Sequence, residues 1–204
     1  ALVGNSTSTT PYTASLVGGT NGITESTSSI AALCTAYDLF KDASAVDVSL
    51  ILAGKATSTQ LPNYIIDNVT ENRKDCVAFI SPRSTDVINN IGSEASSIVS
   101  FRQSLRYSSY AFLDSGYKYQ YDKYNDVYRY IPLNGDMAGL TARTDNLRDP
   151  WFSPAGYNRG QIKNVVKLAY NPGKADRDAL YKADVNPVAT LPGLGTLLYG
   201  DKTA

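Results

Sequence analysis

The sequence predicts an α/β fold with a mostly parallel central sheet flanked by helices, to which an antiparallel, tyrosine-rich hairpin and C-terminal strands are added. Three observations lead to this prediction. Short apolar runs alternate with amphipathic helical patterns in the first half of the chain, tyrosines then alternate with polar residues, and short strand-like segments follow near the end. Strands that alternate with helices along a chain favour a parallel sheet.

The first helix and strand follow a polar beginning. Residues 1–29 are rich in Ser, Thr and Gly and predict a loosely structured lead-in, whereas residues 30–204 predict the α/β core domain. Apolar residues at helical spacing predict a helix from residue 30 to about residue 41. The segment Val46–Leu52 then predicts a strand.

A strand, helix and strand pattern continues through the first half of the chain. Leu61–Val69 has the apolar spacing of an amphipathic helix, and Cys76–Ile80 is a nearly continuous apolar run, typical of a strand covered on both faces. A long helix is predicted from Ser84 to Leu105, and Ser109–Leu113 predicts a third strand. This alternation predicts a βαβ arrangement with parallel strands.

The tyrosines predict a β-hairpin. Tyr117, Tyr119 and Tyr121 alternate with polar residues, and so do Tyr128 and Tyr130 after a short polar turn. Tyrosine is common in half-buried strands and at protein contacts, and it also stacks on sugars and bases. Three roles therefore stay open for this hairpin: strand packing, a protein interface that includes Tyr128 and Tyr130, or ligand stacking.

The rest of the chain predicts shorter elements, with a possible domain boundary near residues 114–132. These are a helix at Met137–Thr144, a strand at Val165–Tyr170, a helix at Ala175–Ala183, and closing strands at Val185–Ala189 and Gly195–Tyr199.

Residues 149–160, here called the Trp151 loop, contain the only Trp of the chain together with two Pro, two Gly and one Arg. Prolines with a fixed φ angle, such as Pro154, glycines that allow unusual φ angles, and a large flat ring predict an ordered, packed surface loop. We expect Trp151 and Phe152 to anchor this loop against the domain. We expect Arg159 to offer its planar donors to a neighbouring carboxylate or carbonyl. The alternative is an exposed Trp151 that contacts another subunit.

Composition excludes several functional classes. The chain has no His, which removes the commonest general base and metal ligand, and it excludes Ser or Cys catalysis through His. Cys34 and Cys76 are too few and too isolated for a zinc site. We expect both to be small buried side chains. Nineteen basic and nineteen acidic residues give no net charge, which argues against nucleic acid as the main partner. No segment approaches the roughly 20 apolar residues of a membrane span.

Other chemical motifs are incomplete. Gly54 lies between a predicted strand and helix, as in a phosphate-binding loop, but Ser49 replaces the first glycine and Ala56 replaces the metal-binding hydroxyl. Asp145 and Asp149 could share a site, although turn formation explains them better. The residues predict no catalytic group, cofactor or metal site.

Several blocks in the second half resemble the contractile tail sheath proteins of myoviruses, most closely those of T-even-type phages. The blocks that carry this resemblance occur in order at Ile131–Gly139, Ala142–Asp145, Trp151–Gly156, Asp184–Pro187 and Pro192–Thr203. Two weaker blocks lie upstream, at Leu16–Gly22 and Asp47–Gly54.

The resemblance implies a non-enzymatic structural subunit. Sheath subunits of this family stack as hexameric rings around the tail tube, and extended terminal arms augment sheets of neighbouring subunits. The sheath contracts by rigid-body movement of its domains when the baseplate is triggered. The implied partners are further copies of the protein, the tail tube protein, and the baseplate and tail terminator proteins. The implied location is the contractile tail of the virion, after assembly in the host cytoplasm.

The resemblance also predicts that this chain is a fragment. The N-terminal arm, an outer insertion and a C-terminal domain expected just after Thr203 are absent from it. We therefore expect a folded monomer that does not polymerise alone. Two alternatives remain: the sheath of a related bacterial secretion device, and an α/β enzyme or ligand-binding domain that relies on carboxylates and backbone amides.

Overall fold

The computed structural model of the protein describes residues 15, 17–19 and 28–204. The predicted lead-in, residues 1–29, and the segment Leu16–Gly22 therefore fall largely outside the described residues. The possible boundary near residues 114–132 stays a prediction.

A three-stranded parallel sheet forms the centre of the fold, as predicted. Its strands are β1 (Leu50–Leu52), β2 (Val77–Ile80) and β3 (Ala111–Leu113), in the order β1-β2-β3. Both pairs are parallel, with Ile51 opposite Ala78 and Phe79 opposite Phe112. Each strand is shorter than its apolar run predicted.

Helices precede and connect these strands. Helix α1 (Ile30–Asp38) begins at Ser29, whose hydroxyl accepts a hydrogen bond from the Ala32 N–H at 3.2 Å. The connection between β1 and β2 is a continuous helical segment, in which the middle turn is a π-helix. Its parts are α2 (Gln60–Ile65), the π-helix (Ile66–Thr70) and α3 (Glu71–Arg73).

The predicted single helix from Ser84 to Leu105 is wrong. The structure has two helices, α4 (Ser84–Val87) and α5 (Glu94–Gln103). Between them Asn89 and Gly92 adopt left-handed φ angles of 58° and 85°, and Ile91 is 94% exposed. Asparagine and glycine are poor helix residues that favour turns. Ile91 fits the helical spacing of the sequence but does not face the core.

The second half adds antiparallel strands and two helices. Strands β4 (Tyr117–Asp122) and β5 (Val127–Pro132) form the predicted hairpin, and β6 (Lys167–Leu168) pairs with the other side of β4. Helix α6 (Asn134–Leu147) extends beyond its prediction at both ends, and α7 (Lys174–Lys182) follows β6. Strands β7 (Val188–Leu191) and β8 (Gly195–Leu198) close the chain as an antiparallel pair.

Apolar side chains cover both faces of the parallel sheet. Alternate strand residues, such as Ile80 and Phe79, belong to two different buried clusters. Helix α5 contributes Phe101 to the first cluster, against which α1 also packs. Helix α6 contributes Met137 to the second cluster. Helices α1 and α6 therefore lie on opposite faces of the sheet.

The two cysteines differ in burial. Cys76 is 2% exposed, as predicted, and burial raises the pKa of its thiol to about 11. Cys34 on α1 is only partly buried, although it packs against the first cluster. The Cys76 thiol is therefore protonated at neutral pH and is a poor nucleophile.

Candidate assembly surface

The chain's own polar side chains close the carboxyl edge of the parallel sheet. In open α/β sheets this edge is where ligands usually bind. Here the Ser81 hydroxyl donates to Asp114 Oδ2 at 2.6 Å, and the Asn134 backbone N–H donates to Ser81 Oγ at 3.0 Å. The Asn134 side-chain amide donates to the Gly54 carbonyl at 2.7 Å. Since Ser81, Asp114 and Asn134 are buried, the start of α6 covers this edge of the sheet.

The C-terminal part of the chain joins the same edge. The Asn186 side-chain amide donates to the carbonyls of Leu113 at 3.1 Å and Lys202 at 2.8 Å. The Val188 N–H donates to Ser115 Oγ at 2.9 Å. Buried polar networks whose members are all bonded make a structure rigid. The parallel sheet and the closing strands are therefore held together by specific buried bonds.

The Asp114 carboxyl lies at the centre of this network and has an unusual protonation state. Burial raises its pKa to about 8, although hydrogen bonds from the Ser81 hydroxyl and the Gly116 N–H oppose that rise. At neutral pH the buried carboxyl is therefore mostly uncharged, which avoids the cost of an unpaired buried charge.

We expect Asp114 to make the stability of the domain depend on pH. Its pKa in the folded state lies above the unfolded value of 3.8, so the folded state binds the proton more tightly. The stabilisation is complete below about pH 4 and falls as the pH rises to about 8. Asp114→Asn should remove this dependence. The free energy of unfolding of the variant minus that of the unmodified chain should therefore be larger at about pH 8 than at about pH 5.

Urea unfolding of both proteins at those two pH values measures this effect. Asp42→Asn is the matched control, because the Asp42 carboxylate is exposed and hydrogen bonds from Ser44 hold its pKa below the usual value. The control should differ from the unmodified chain by the same amount at both pH values. An equally constant difference for Asp114→Asn would contradict the prediction.

Four tyrosines of the hairpin pack on one another, whereas Tyr117 is buried in the first apolar cluster. Tyr119 lies opposite Tyr130, and Tyr121 lies opposite Tyr128. The ring centroids are 4.7 Å apart in the first pair and 5.1 Å in the second, and Tyr119 and Tyr128 stack at 5.5 Å. These contacts support the strand-packing role. Because Tyr128 is still 53% exposed, contact with another protein stays a prediction for Tyr128 and Tyr130.

The aromatic rings of the Trp151 loop form a small stack. Trp151 lies on Phe152 with the ring centroids 4.4 Å apart and an interplanar angle of 27°. The Arg159 guanidinium lies 5.3 Å from the Phe152 centroid, and Arg159 Nε donates to the Ser153 carbonyl at 2.9 Å. Arg159 thus donates to a carbonyl, as the sequence predicted, and that carbonyl belongs to the loop itself.

Main-chain bonds attach this loop to β8. The Gly156 N–H donates to the Leu198 carbonyl at 2.9 Å, and the Leu198 N–H donates to the Gly160 carbonyl at 2.8 Å. A Cβ atom on Gly160 would lie 2.7 Å from the Leu198 carbonyl oxygen. Glycine is therefore required at this close approach.

The prediction that Trp151 anchors the loop is wrong. Trp151 is 78% exposed, and Phe152 and Pro154 are only partly buried. The physical reason is that backbone hydrogen bonds to β8 hold the loop, so its rings are not needed as anchors. An exposed tryptophan beside arginine is typical of protein contact surfaces.

Trp151→Ala is expected to change the free energy of unfolding by less than about 0.5 kcal/mol, because the ring buries little surface. Thermal unfolding of the variant should give the Tm of the unmodified chain. A loss of about 3 kcal/mol, the cost of removing a buried aromatic ring, would show instead that the ring packs against the domain in solution.

A cavity of about 320 Å³ separates the end of α6 from the Trp151 loop. Its lining residues include Arg143, Leu147 and Arg148 on one side and Arg159 on the other. Arg143, Leu147 and Arg148 are exposed. Within the described part of the chain, no ion pair involves any of these three arginines. Three positive charges therefore share one cavity without an acidic partner.

Sequence reasoning missed Arg143 and Arg148 as surface residues of interest. The signal that could have indicated them is their position in the sequence just before the Trp151 loop, since both Arg and Trp are enriched at protein interfaces. Asp145 and Asp149, which could have shared a site, are both exposed, and neither forms an ion pair with the nearby arginines.

The described residues contain no group of three or more His, Cys, Asp or Glu side chains placed to hold a metal ion. No helix in this part of the chain has both the length and the hydropathy to span a membrane.

Comparison with curated proteins identifies phage relatives. The tail sheath protein of Enterobacteria phage T4 is 43% identical over 189 residues, which cover 84% of this chain and 28% of that protein. The tail sheath protein of Vibrio phage KVP40 is 42% identical over 187 residues, with 82% and 28% covered. The tail sheath protein of Salmonella phage ViI is 44% identical over 140 residues, with 68% and 22% covered. The chain thus spans at most 28% of the length of these relatives.

Solved structures show the same fold. The contracted helical sheath of the anti-feeding prophage matches 84% of this chain and 42% of its own chain, with a TM-score of 0.56 and 14% identity. The contracted sheath complex PVC, from an extracellular contractile injection system, matches 84% of this chain and 49% of its own, with a TM-score of 0.58 and 13% identity. Residues 36–204 match the family model described as the phage tail sheath protein central domain. The chain therefore belongs to the phage tail sheath protein family and contains its central domain.

Proposed function

We propose that this chain is the structural central domain of a contractile tail sheath subunit of a phage, and that it has no enzymatic role. In the complete subunit, the domain contributes to a helical sheath that surrounds the tail tube and contracts to drive it through the host envelope. The observation that carries this proposal is the family match over residues 36–204.

The structure supports a role as a rigid body. Contraction by rigid-body movement requires a domain that keeps its shape while its outer contacts change. The network around Asp114 and Asn186 joins the sheet edge, the start of α6 and the segment before β7 through buried hydrogen bonds. Because the domain itself occupies its sheet edge, a ligand-binding role has little support.

The surface supports a role in assembly. Leu147 lines the cavity together with Arg143 and Arg148 and is 63% exposed, and Trp151 and Tyr157 of the Trp151 loop are 78% and 62% exposed. Aromatic and arginine side chains contribute much of the binding energy at protein contacts. We propose that this surface and the outer face of Tyr128 and Tyr130 contact neighbouring proteins in the assembled tail.

The proposed partners are further copies of the protein, the tail tube protein, and the baseplate and tail terminator proteins. The solved relatives include a contracted helical sheath and a baseplate of the anti-feeding prophage. The sequence relatives at 42–44% identity are phage tail sheath proteins. We therefore place this chain in the tail of a virion, assembled in the host cytoplasm, rather than in a bacterial secretion device.

Electron microscopy of the full-length sheath protein that contains this domain tests the proposal. We expect rigid tubes to form without added nucleotide or other cofactor. A full-length protein that stays dispersed under conditions in which other phage sheaths polymerise would contradict the proposal. Saturable binding of a small molecule at the carboxyl edge of the sheet would favour the ligand-binding alternative.

A further inference from the structure

The cavity lined by Arg143, Arg148 and Arg159, here called the arginine cavity, lacks an acidic partner within the described part of the chain, and Leu147 adds an exposed apolar side chain to its lining. Arg143 and Arg148 are exposed at the end of α6, Leu147 between them is 63% exposed, and the exposed Trp151 ring follows. Guanidinium groups bind carboxylates with two parallel hydrogen bonds, and they retain their charge at every physiological pH. This surface therefore fits a partner that presents carboxylates beside apolar side chains.

The same chain carries a surface with that chemistry. The segment Asp38–Asp47 begins at the last residue of α1 and is here called the acidic loop. It contains three aspartates and one lysine, and it exposes Leu39 by 73% and Phe40 by 36%.

Two carboxylates of the acidic loop are available for a partner. Lys41 pairs with Asp38 at 2.7 Å, which leaves Asp42 and Asp47 without an ion pair in the described part of the chain. Both of these side chains belong to exposed residues. The charges and the apolar residues of the two surfaces are therefore complementary.

Within the described part of one copy, the arginine cavity and the acidic loop form no ion pair with each other. The acidic loop follows α1, which packs against the first apolar cluster, whereas Arg143 and Arg148 lie at the end of α6, which packs against the second. These clusters cover opposite faces of the parallel sheet. A contact between two different surfaces of the same protein repeats from copy to copy and generates a ring or a helix.

We propose that the arginine cavity of one sheath subunit receives the acidic loop of another, with Arg143 and Arg148 facing Asp42 and Asp47. The contact is heterologous, and Leu39 and Phe40 pack near Leu147 and Trp151. This inference rests on the proposed sheath function and specifies which two surfaces of the central domain meet.

A charge-swap experiment in the full-length sheath protein tests this contact. Reversal of the basic surface by Arg143→Glu and Arg148→Glu should lower the yield of tubes counted by electron microscopy by about tenfold, because like charges then face each other. Reversal of the acidic loop by Asp42→Lys and Asp47→Lys should lower it similarly. The protein with all four substitutions should regain most of the yield, because the charges again attract. The matched control reverses Lys174 and Lys182 of α7 to Glu and should keep the normal yield.

The outcomes separate the inference from the proposed function. All four substituted residues are exposed, so thermal unfolding should show that each variant folds. Normal tube yield after arginine reversal would overturn the contact while leaving the sheath function intact. Loss of tubes that the combined variant does not restore would also overturn it, since the arginines would then meet a different partner. Absence of tubes from the unmodified protein would overturn the proposed function and, with it, this contact.

Discussion

Phe101→Ala is expected to lower the free energy of unfolding by about 4 kcal/mol. The Phe101 ring is 1% exposed and lies in the first apolar cluster, where α5 packs beneath the parallel sheet. Removal of the ring reduces the buried apolar surface. It also leaves a cavity, because closely packed neighbours relax only in part. The Arg83 guanidinium, 5.8 Å from the ring centroid, would also lose its aromatic contact.

Urea unfolding monitored by circular dichroism measures this loss. Tyr124→Ala is the matched control, because it removes an aromatic ring that is 86% exposed in the hairpin turn. The control should stay within about 0.5 kcal/mol of the unmodified chain. A loss of less than about 1.5 kcal/mol for Phe101→Ala would mean that α5 does not pack in solution as the structure shows.

Lys118→Met is expected to cost about 3 kcal/mol at neutral pH, because it breaks a largely buried ion pair. Lys118 Nζ lies 2.8 Å from Asp136 Oδ1 and 3.3 Å from the Lys163 carbonyl, and its side chain is 7% exposed. Burial raises the pKa of Asp136, and Lys118 opposes that rise. Without the ammonium group, the carboxylate is left buried and unpaired or must take up a proton.

The double variant Lys118→Met with Asp136→Asn separates pairing from packing. It removes both charges, so its loss of stability should be smaller than the sum of the losses of the two single variants, by a coupling free energy of at least about 1 kcal/mol. Urea unfolding of the two single variants and the double variant completes the cycle. Strictly additive losses would show that the two side chains do not interact in solution.

The parallel sheet was predictable because its evidence is local. Cys76–Ile80 is almost continuously apolar, which is typical of a strand covered on both faces, and the structure buries Ala78, Phe79 and Ile80 between two clusters. The hairpin was equally predictable, since the period of two between Tyr117 and Tyr121 directly reflects strand geometry.

The break between α4 and α5 has a local cause, whereas the other features that the sequence did not predict depend on contacts between distant residues. The spacing of Ile91 predicted a continuous helix, but the left-handed Asn89 and Gly92 redirect the chain away from the core. Trp151 was expected inside because tryptophan usually buries much of its ring, whereas the backbone of β8 already held the loop. Nothing near Lys118 in the sequence indicates that Asp136 will face it across the fold.

The bonds that close the sheet edge also determine when the domain can finish folding during its synthesis. The Leu113 carbonyl accepts from the Asn186 side chain, and Ser115 accepts from the Val188 N–H; the partners in each bond are 73 residues apart. At typical translation speeds the ribosome needs on the order of ten seconds to make such a stretch. Throughout that interval the edge of the sheet lacks the bonds that Asn186 and Val188 supply in the finished domain.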